Sequence, residues 1–195
     1  MFYNLEKAKQ KRIFSCALEE FSNKEFMNAS INKIVQNSNI SRGSFYHYFE
    51  DKLDVYLYVL DEILDKQSEI FTTQISHDKT ADIFDVYRQF LLLNLSIVSH
   101  TRFHSFFKNL YMGMNHDIAS HLYKKQKQLK RKISKEIDVA AEGNSKALHE
   151  LLIILELIRR DLLTAKLKRD MTDEAVMTCY DLRISIIQNY SSVIN

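Results

Sequence analysis

No proline occurs anywhere in the 195 residues, and glycine occurs only three times. Tight hairpin turns and phosphate-cradling loops are built from those residues, because they need positive φ or a preset φ. A Greek-key sandwich and a glycine-rich nucleotide-binding α/β fold are therefore disfavoured. Helices separated by short polar breaks remain, so the expected fold class is all-α. A chain of this length can bury roughly 70% of its unfolded surface. It therefore needs no metal or disulfide staple to hold a core.

Charge narrows the function classes. The net charge is +2, with 27% charged residues, so nucleic-acid contact has to come from local placement of cations and not from bulk excess. Cys16 and Cys179 are far apart and lack metal-ligand spacing, which reads as small hydrophobes in a reducing compartment. No apolar run reaches the roughly 18 residues of a membrane span, and the segment from Met1 to Arg12 has no apolar signal core. A cytoplasmic protein without a membrane partner is expected.

Ile13, Phe14, Ala17, Leu18 and Phe21 form one stripe of an amphipathic first helix, starting near Leu5 and ending near Ser22-Asn23. A short second helix runs from Ser30, its expected N-cap, to about Asn37, with Ile31, Ile34 and Val35 inward. Ser38-Asn39-Ile40 breaks the chain, with Asn39 able to take a positive φ at low cost. A third helix spans Ser41 to about Phe49. A fourth opens at Glu50-Asp51 and carries Leu53, Tyr56, Leu57, Leu60, Ile63 and Leu64. Polar stretches at Ser76–Thr80, Glu142–Asn144 and Asp170–Asp173 divide the remainder into further helices. The count is nine, three short and six mostly longer.

Helices two and three, joined by about four residues, have the spacing of a helix-turn-helix. The second helix of that motif must enter a major groove roughly 12 Å wide, so its leading end needs small or hydrogen-bonding side chains. Ser41, Arg42, Gly43 and Ser44 supply such a tip. Arg42 can fork onto guanine O6 and N7, and Gly43 lets the backbone approach closely. Tyr46 and His47 face outward and can donate to phosphates, as can Lys52 in the first turn of the fourth helix. Phe45 and Phe49, four apart, fit an aromatic core stripe.

The run Ile13-Phe14, Ala17-Leu18, Phe21, then Ser30–Val35, then Ile40-Ser41-Arg42-Gly43-Ser44-Phe45-Tyr46-His47-Tyr48-Phe49 and Lys52-Leu53 resembles the N-terminal domain of TetR-family transcriptional regulators. The resemblance covers about the first 60 residues. It implies a DNA-binding domain over residues 1–50 and a six-helix effector and dimerisation domain over residues 51–195. It further implies a homodimer on near-palindromic double-stranded DNA, usually a repressor released by a small molecule. Residue by residue, Ser41, Arg42, Gly43 and Ser44 are implied in base-edge or close backbone contact. Ser30, Tyr46, His47 and Lys52 are implied at phosphates, while Phe45 and Tyr48 pack between helices, with DNA contact as the alternative for Tyr48. The chain departs from the family pattern at Glu25 and Asn39, where glycine is usual, and at Ala29, where threonine is common. A left-handed Glu25 costs up to about 1 kcal/mol.

The remaining signals are weaker. Phe84, Tyr87, Phe103, Phe106, Phe107 and Tyr111, with Met112 and Met114, read either as core or as the lining of an apolar cavity. In the second reading Phe84, Tyr87, Phe103, His104, Phe107, Tyr111 and Met112 meet an apolar or aromatic effector. The basic run from Lys124 to Lys135 spreads around its helix and reads as a solvated face. His100 and His104 are i, i+4 but lack the metalloprotease pattern, and no nucleophile elbow or oxyanion loop occurs, so neither metal, cofactor nor catalysis is expected. The stretch from Leu151 to Ile158 is apolar on too many sides to face water. Leu151, Leu155, Ile158, Leu162, Ile186, Ile187 and Tyr190 are candidates for an intermolecular four-helix bundle, with burial inside one chain as the alternative. A helical scaffold or DNA-organising protein with a protein partner and no effector is the competing function.

Overall fold

The computed structural model describes residues 2–77, 82–138 and 145–191, and among them finds nine α-helices and no strand. They are α1 (Lys7–Asn23), α2 (Ile31–Asn37), α3 (Arg42–Tyr48), α4 (Lys52–His77), α5 (Ile83–Val98), α6 (Thr101–Met112), α7 (His116–Asp138), α8 (Ser145–Arg169) and α9 (Asp173–Ser191). Short 3-10 turns occupy Phe2–Asn4 and Phe26–Asn28. The all-α expectation and the count of nine helices hold among the described residues; of the first three helices only α2 and α3 are short, α1 having 17 residues. α4 runs through Ser76-His77, where a break was expected; residues 78–80 and the break at 142–144 lie outside the described residues. The break at Asp170 is present, and Asp170 takes φ 50° there.

The helices pack as two compact units, residues 1–66 with 100–122, and residues 67–99 with 123–195. In the first, α1 buries the stripe its periodicity requires: Ile13, Ala17 and Phe21 are fully enclosed with Ile34, Phe45, Val55, Val59 and Leu60. Each of the larger of these side chains contributes about 1.5–3 kcal/mol on leaving water. α6 lies along α1. Asn109 Nδ2 donates to the carbonyls of Phe21 and Ser22 at 3.0 and 2.9 Å, satisfying last-turn oxygens that α1 cannot pair itself. Arg102 donates to Ser15 Oγ at 2.9 Å, with its guanidinium over the Phe14 ring. Packing therefore groups α6 with the first three helices, a grouping by contact that differs from the division by role at residue 50.

The second unit is built on α5, α8, α9 and the later part of α4. Phe71 and Phe90 stack with centroids 4.3 Å apart, and Tyr180 Oη donates to the Phe84 carbonyl at 2.8 Å. Arg159 is buried yet fully engaged. It donates to Glu156 and to Asn94 Oδ1, and its guanidinium lies 4.8 Å from the Phe90 ring centre. Tyr87 is buried nearby, and burial together with the Glu156 carboxylate pushes its phenol well above the ordinary tyrosine range. No helix of the described residues is long and apolar enough to cross a membrane.

Candidate nucleic-acid interface

The angle between α2 and α3 is set by a turn with its own internal bonds. Ser38 Oγ donates to the Ile34 carbonyl at 2.6 Å, and the Ser38 carbonyl accepts Arg12 Nε of α1 at 2.8 Å. Asn39 takes φ 51°, the left-handed conformation anticipated for it. Below the turn, Ile34 and Phe45 are fully buried and lock the two helices together. Glu25 does not carry the strain considered for it. Its φ is −57°, because the chain leaves α1 in extended conformation at Lys24 and enters a 3-10 turn.

At the leading end of α3, Ser41, Arg42 and Gly43 are exposed and Ser44 is half-exposed. Ser41 is the N-cap: its Oγ accepts the Ser44 amide at 3.0 Å and lies 2.8 Å from Ser44 Oγ. Arg42 Nη1 donates to Asn32 Oδ1 of α2 at 2.9 Å, and its guanidinium sits 5.7 Å from the Tyr46 ring centre. Asn32 thus holds the arginine in a defined place, a pairing that local periodicity could not signal. Gly43 is informative because, among the described residues, no close neighbour requires it. An added Cβ would have Ser41 Oγ at 3.9 Å as its nearest neighbour. A glycine inside a helix costs roughly 0.5–1 kcal/mol relative to alanine. No internal contact offsets that cost.

The flanking residues are placed unevenly. Tyr46 and His47 are exposed on the outer side of α3. Tyr48 is half-buried and Phe45 fully buried, as the interhelical reading requires. Ser30 occupies the N-cap position of α2, but its side chain makes no cap bond; its amide instead donates to Glu20 Oε1 at 2.8 Å. The expectation that Ser30 caps through its hydroxyl is corrected accordingly, because the Glu20 carboxylate holds the backbone there. Lys52 Nζ donates to the carbonyls of Met27 and Ala29 at 2.8 and 3.2 Å and lies over the Phe26 ring. Its ammonium therefore sits just ahead of α2, with a third donor still to place. Asp51 Oδ1 accepts the Asp54 amide and Asp54 Oδ2 accepts the Glu50 amide, so two carboxylates hold the start of α4 beside this lysine.

The other sequence-predicted groups divide between the two units. Phe84 and Tyr87 belong to the second unit, and Phe103, His104, Phe107, Tyr111 and Met112 to the first. Met112 is 59% exposed, so it is corrected from a cavity wall to a surface side chain at the end of α6. Among the bundle candidates, Leu155 and Leu162 are enclosed by their own chain and cannot meet a partner. That is the second correction, and its cause is packing of α8 against α5 and α9. Leu151, Ile158 and Ile187 are half-buried, Ile186 is exposed, and the Tyr190 side chain lies outside the described ones. The apolar side chains left uncovered on α8 and α9 are instead Ile153, Ile154, Leu157, Leu182 and Ile186. They recur at three- and four-residue spacing, so each helix presents them on one face.

Among the described residues no group of three or more His, Cys, Asp or Glu side chains could hold a metal ion. His100 is a helix cap, its Nδ1 accepting the Arg102 amide, and His121 pairs with Asp61 at 2.7 Å. Lys124, Lys127, Arg131 and Lys132 are exposed, as a solvated face requires.

Residues 13–59 match the model of bacterial regulatory proteins of the tetR family. Among solved structures, the chain is similar to a TetR family transcriptional regulator from Chloroflexus aurantiacus J-10-FL, at 23% identity, 97% coverage of this chain, 88% of that one and a TM-score of 0.53. It is similar to a transcriptional regulator from Aquifex aeolicus VF5 at 17% identity, covering 92% and 99%, with a TM-score of 0.63. It is also similar to the transcriptional regulator FadR from Bacillus subtilis, solved in complex with stearoyl-CoA, at 13% identity, covering 88% and 96%, with a TM-score of 0.70. No curated protein sequence matches the chain. Residues 13–59 therefore carry a tetR-family helix-turn-helix domain, and the described residues share the all-α fold of these transcriptional regulators.

Proposed function

We propose that the protein is a homodimeric cytoplasmic repressor that binds a near-palindromic duplex through α3 and leaves it when a small apolar or aromatic effector binds. The observation that carries the DNA-binding part is the tip of α3. Ser41, Arg42 and Gly43 stand exposed, and Gly43 has no internal reason to lack a side chain. A close approach by DNA supplies that reason. Arg42 reads a base pair, Ser41, Gly43 and Ser44 line the groove, and Ser30, Tyr46, His47 and Lys52 meet the backbone on either side. The uncovered apolar face of α8 and α9 supports the dimer, which would place two α3 helices about 34 Å apart on successive major grooves.

The effector reading rests on the second unit, where Tyr87 meets Phe90, which stacks on Phe71 and lies beside the buried Arg159, and where the Phe84 carbonyl accepts Tyr180 Oη. The FadR neighbour, solved with stearoyl-CoA, shows that a protein of this fold can hold an acyl ligand. An effector that reverses occupancy from 1:99 to 99:1 must favour the DNA-incompetent form by about 5.5 kcal/mol. The test is selection from a random duplex pool by the purified protein, with and without cell extract. Enrichment of inverted half-sites, abolished by extract, supports the proposal. Unbiased recovery refutes site-specific binding, and enrichment indifferent to extract refutes the effector.

A further inference from the structure

The carbonyl end of α3 is built as carefully as its tip. Tyr48, the last residue of the helix, receives a hydrogen bond from Lys9 Nζ of α1 at 3.2 Å, and the ammonium lies 5.5 Å from the ring centre. Behind Tyr48 sits Phe2, buried against Phe49 and Tyr58 with centroids 5.0 and 4.7 Å away. One side chain holds the turn that delivers Phe2. Gln10 Nε2 donates to the carbonyls of Phe2, Tyr3 and Leu5 at 3.4, 3.1 and 2.8 Å, while its Oε1 accepts Lys7 Nζ at 3.3 Å. Gln10 itself is buried.

A recognition helix enters the groove with its N-terminal residues on the bases. Six residues further, about 9 Å along the axis, Tyr48 has reached the rim where phosphates run. The helix cannot bind a phosphate there with its own backbone, because its carbonyl end carries partial negative charge. Its last turn offers only His47 as a basic residue. A cation from another element is needed, and Lys9 stands at that place. The Tyr48 hydroxyl accepts from Lys9, which leaves its own proton to donate outward, and the ammonium has two further donors.

We propose that Lys9 Nζ and Tyr48 Oη together bind one backbone phosphate of duplex DNA, at the opposite end of α3 from Arg42, with the Gln10-held turn positioning both. This site rests on the DNA-binding reading above. It gives Tyr48 a second role besides packing and brings α1 into the interface.

The test is fluorescence anisotropy with two 30-base-pair duplexes, one recovered by selection and one of scrambled sequence, between 50 and 200 mM salt. Each neutralised phosphate adds about 0.9 to the slope of log affinity against log salt. Lys9→Gln removes one such contact from each subunit of the dimer and should flatten that slope by about 1.8 on both duplexes, so the wild type loses about 12-fold more affinity across this salt range than the variant. Lys9→Arg should keep the slope, and Tyr48→Phe should weaken both duplexes with the slope unchanged. A Gln variant that melts normally and keeps the wild-type slope overturns the proposal and leaves DNA binding standing. A wild-type protein that binds neither duplex overturns both.

Discussion

Replacing Leu182 by alanine should weaken the proposed dimer without harming the fold. Leu182 on α9 is 61% exposed in the single chain, so more than half of its side chain gains from being covered by a partner. Complete burial of a leucine yields about 1.5–3 kcal/mol; the exposed share, less what alanine retains, comes to roughly 1–1.5 kcal/mol per copy. A two-fold interface uses the same residue twice, giving about 2–3 kcal/mol, or roughly 30- to 150-fold in the dimer dissociation constant. Sedimentation equilibrium over a range of protein concentrations reads this directly. Leu155→Ala is the contrasting variant: its side chain is fully enclosed, so it should cost about 2–5 kcal/mol of folding stability and leave association of the folded protein unchanged. A wild type that stays monomeric at every concentration would refute the reasoning, as would a Leu182→Ala protein that associates like the wild type.

Other consequences are smaller and local. Ser41→Ala removes the cap of α3 and should lower stability by about 1 kcal/mol, whereas Ser41→Gly should cost only a few tenths; thermal melting distinguishes them by about 2–4 °C. Asn39→Gly should leave the melting temperature nearly unchanged, because asparagine already takes the φ of 51° at low cost, while Asn39→Val should destabilise. Tyr56, Tyr58, Tyr87 and Tyr180 have phenols raised above their ordinary value, in each case chiefly by burial. Their protonated forms are therefore favoured by folding. That contribution is complete below pH 10, and it is lost as pH rises through the unfolded-state value and beyond, because the unfolded chain releases protons the folded one keeps. Denaturant midpoints should fall steeply above pH 10, and less steeply for Tyr87→Phe.

Much of the DNA-binding domain was legible because its cues are local. The stripe from Ile13 to Phe21, the break at Asn39 and the small residues from Ser41 to Ser44 each lie within one or two turns of helix. What joins them was not legible. Lys52 reaches carbonyls more than twenty residues back, and Lys9 meets Tyr48 across 39 positions. No local period marks such contacts. The face of α8 failed for a different reason. From Leu151 to Ile158 the helix is apolar on nearly every side, so periodicity could not choose between Leu155, which lies inside, and Leu157, which lies outside. Arg159 carries no local sign of burial, yet Glu156, Asn94 and the Phe90 ring compensate its charge in the interior. The aromatic residues of α5 and α6 look like one cluster in the sequence, but packing assigns them to two units.

The central claim is that α3 reads DNA sequence with Arg42. It is tested most directly by measuring wild-type and Arg42→Ala affinities for a selected duplex and for every single base-pair substitution within one half-site. The account predicts that the variant loses about 1–3 kcal/mol of discrimination at one base pair and keeps it at the others. An equal loss on every duplex, or no loss on any, would contradict it.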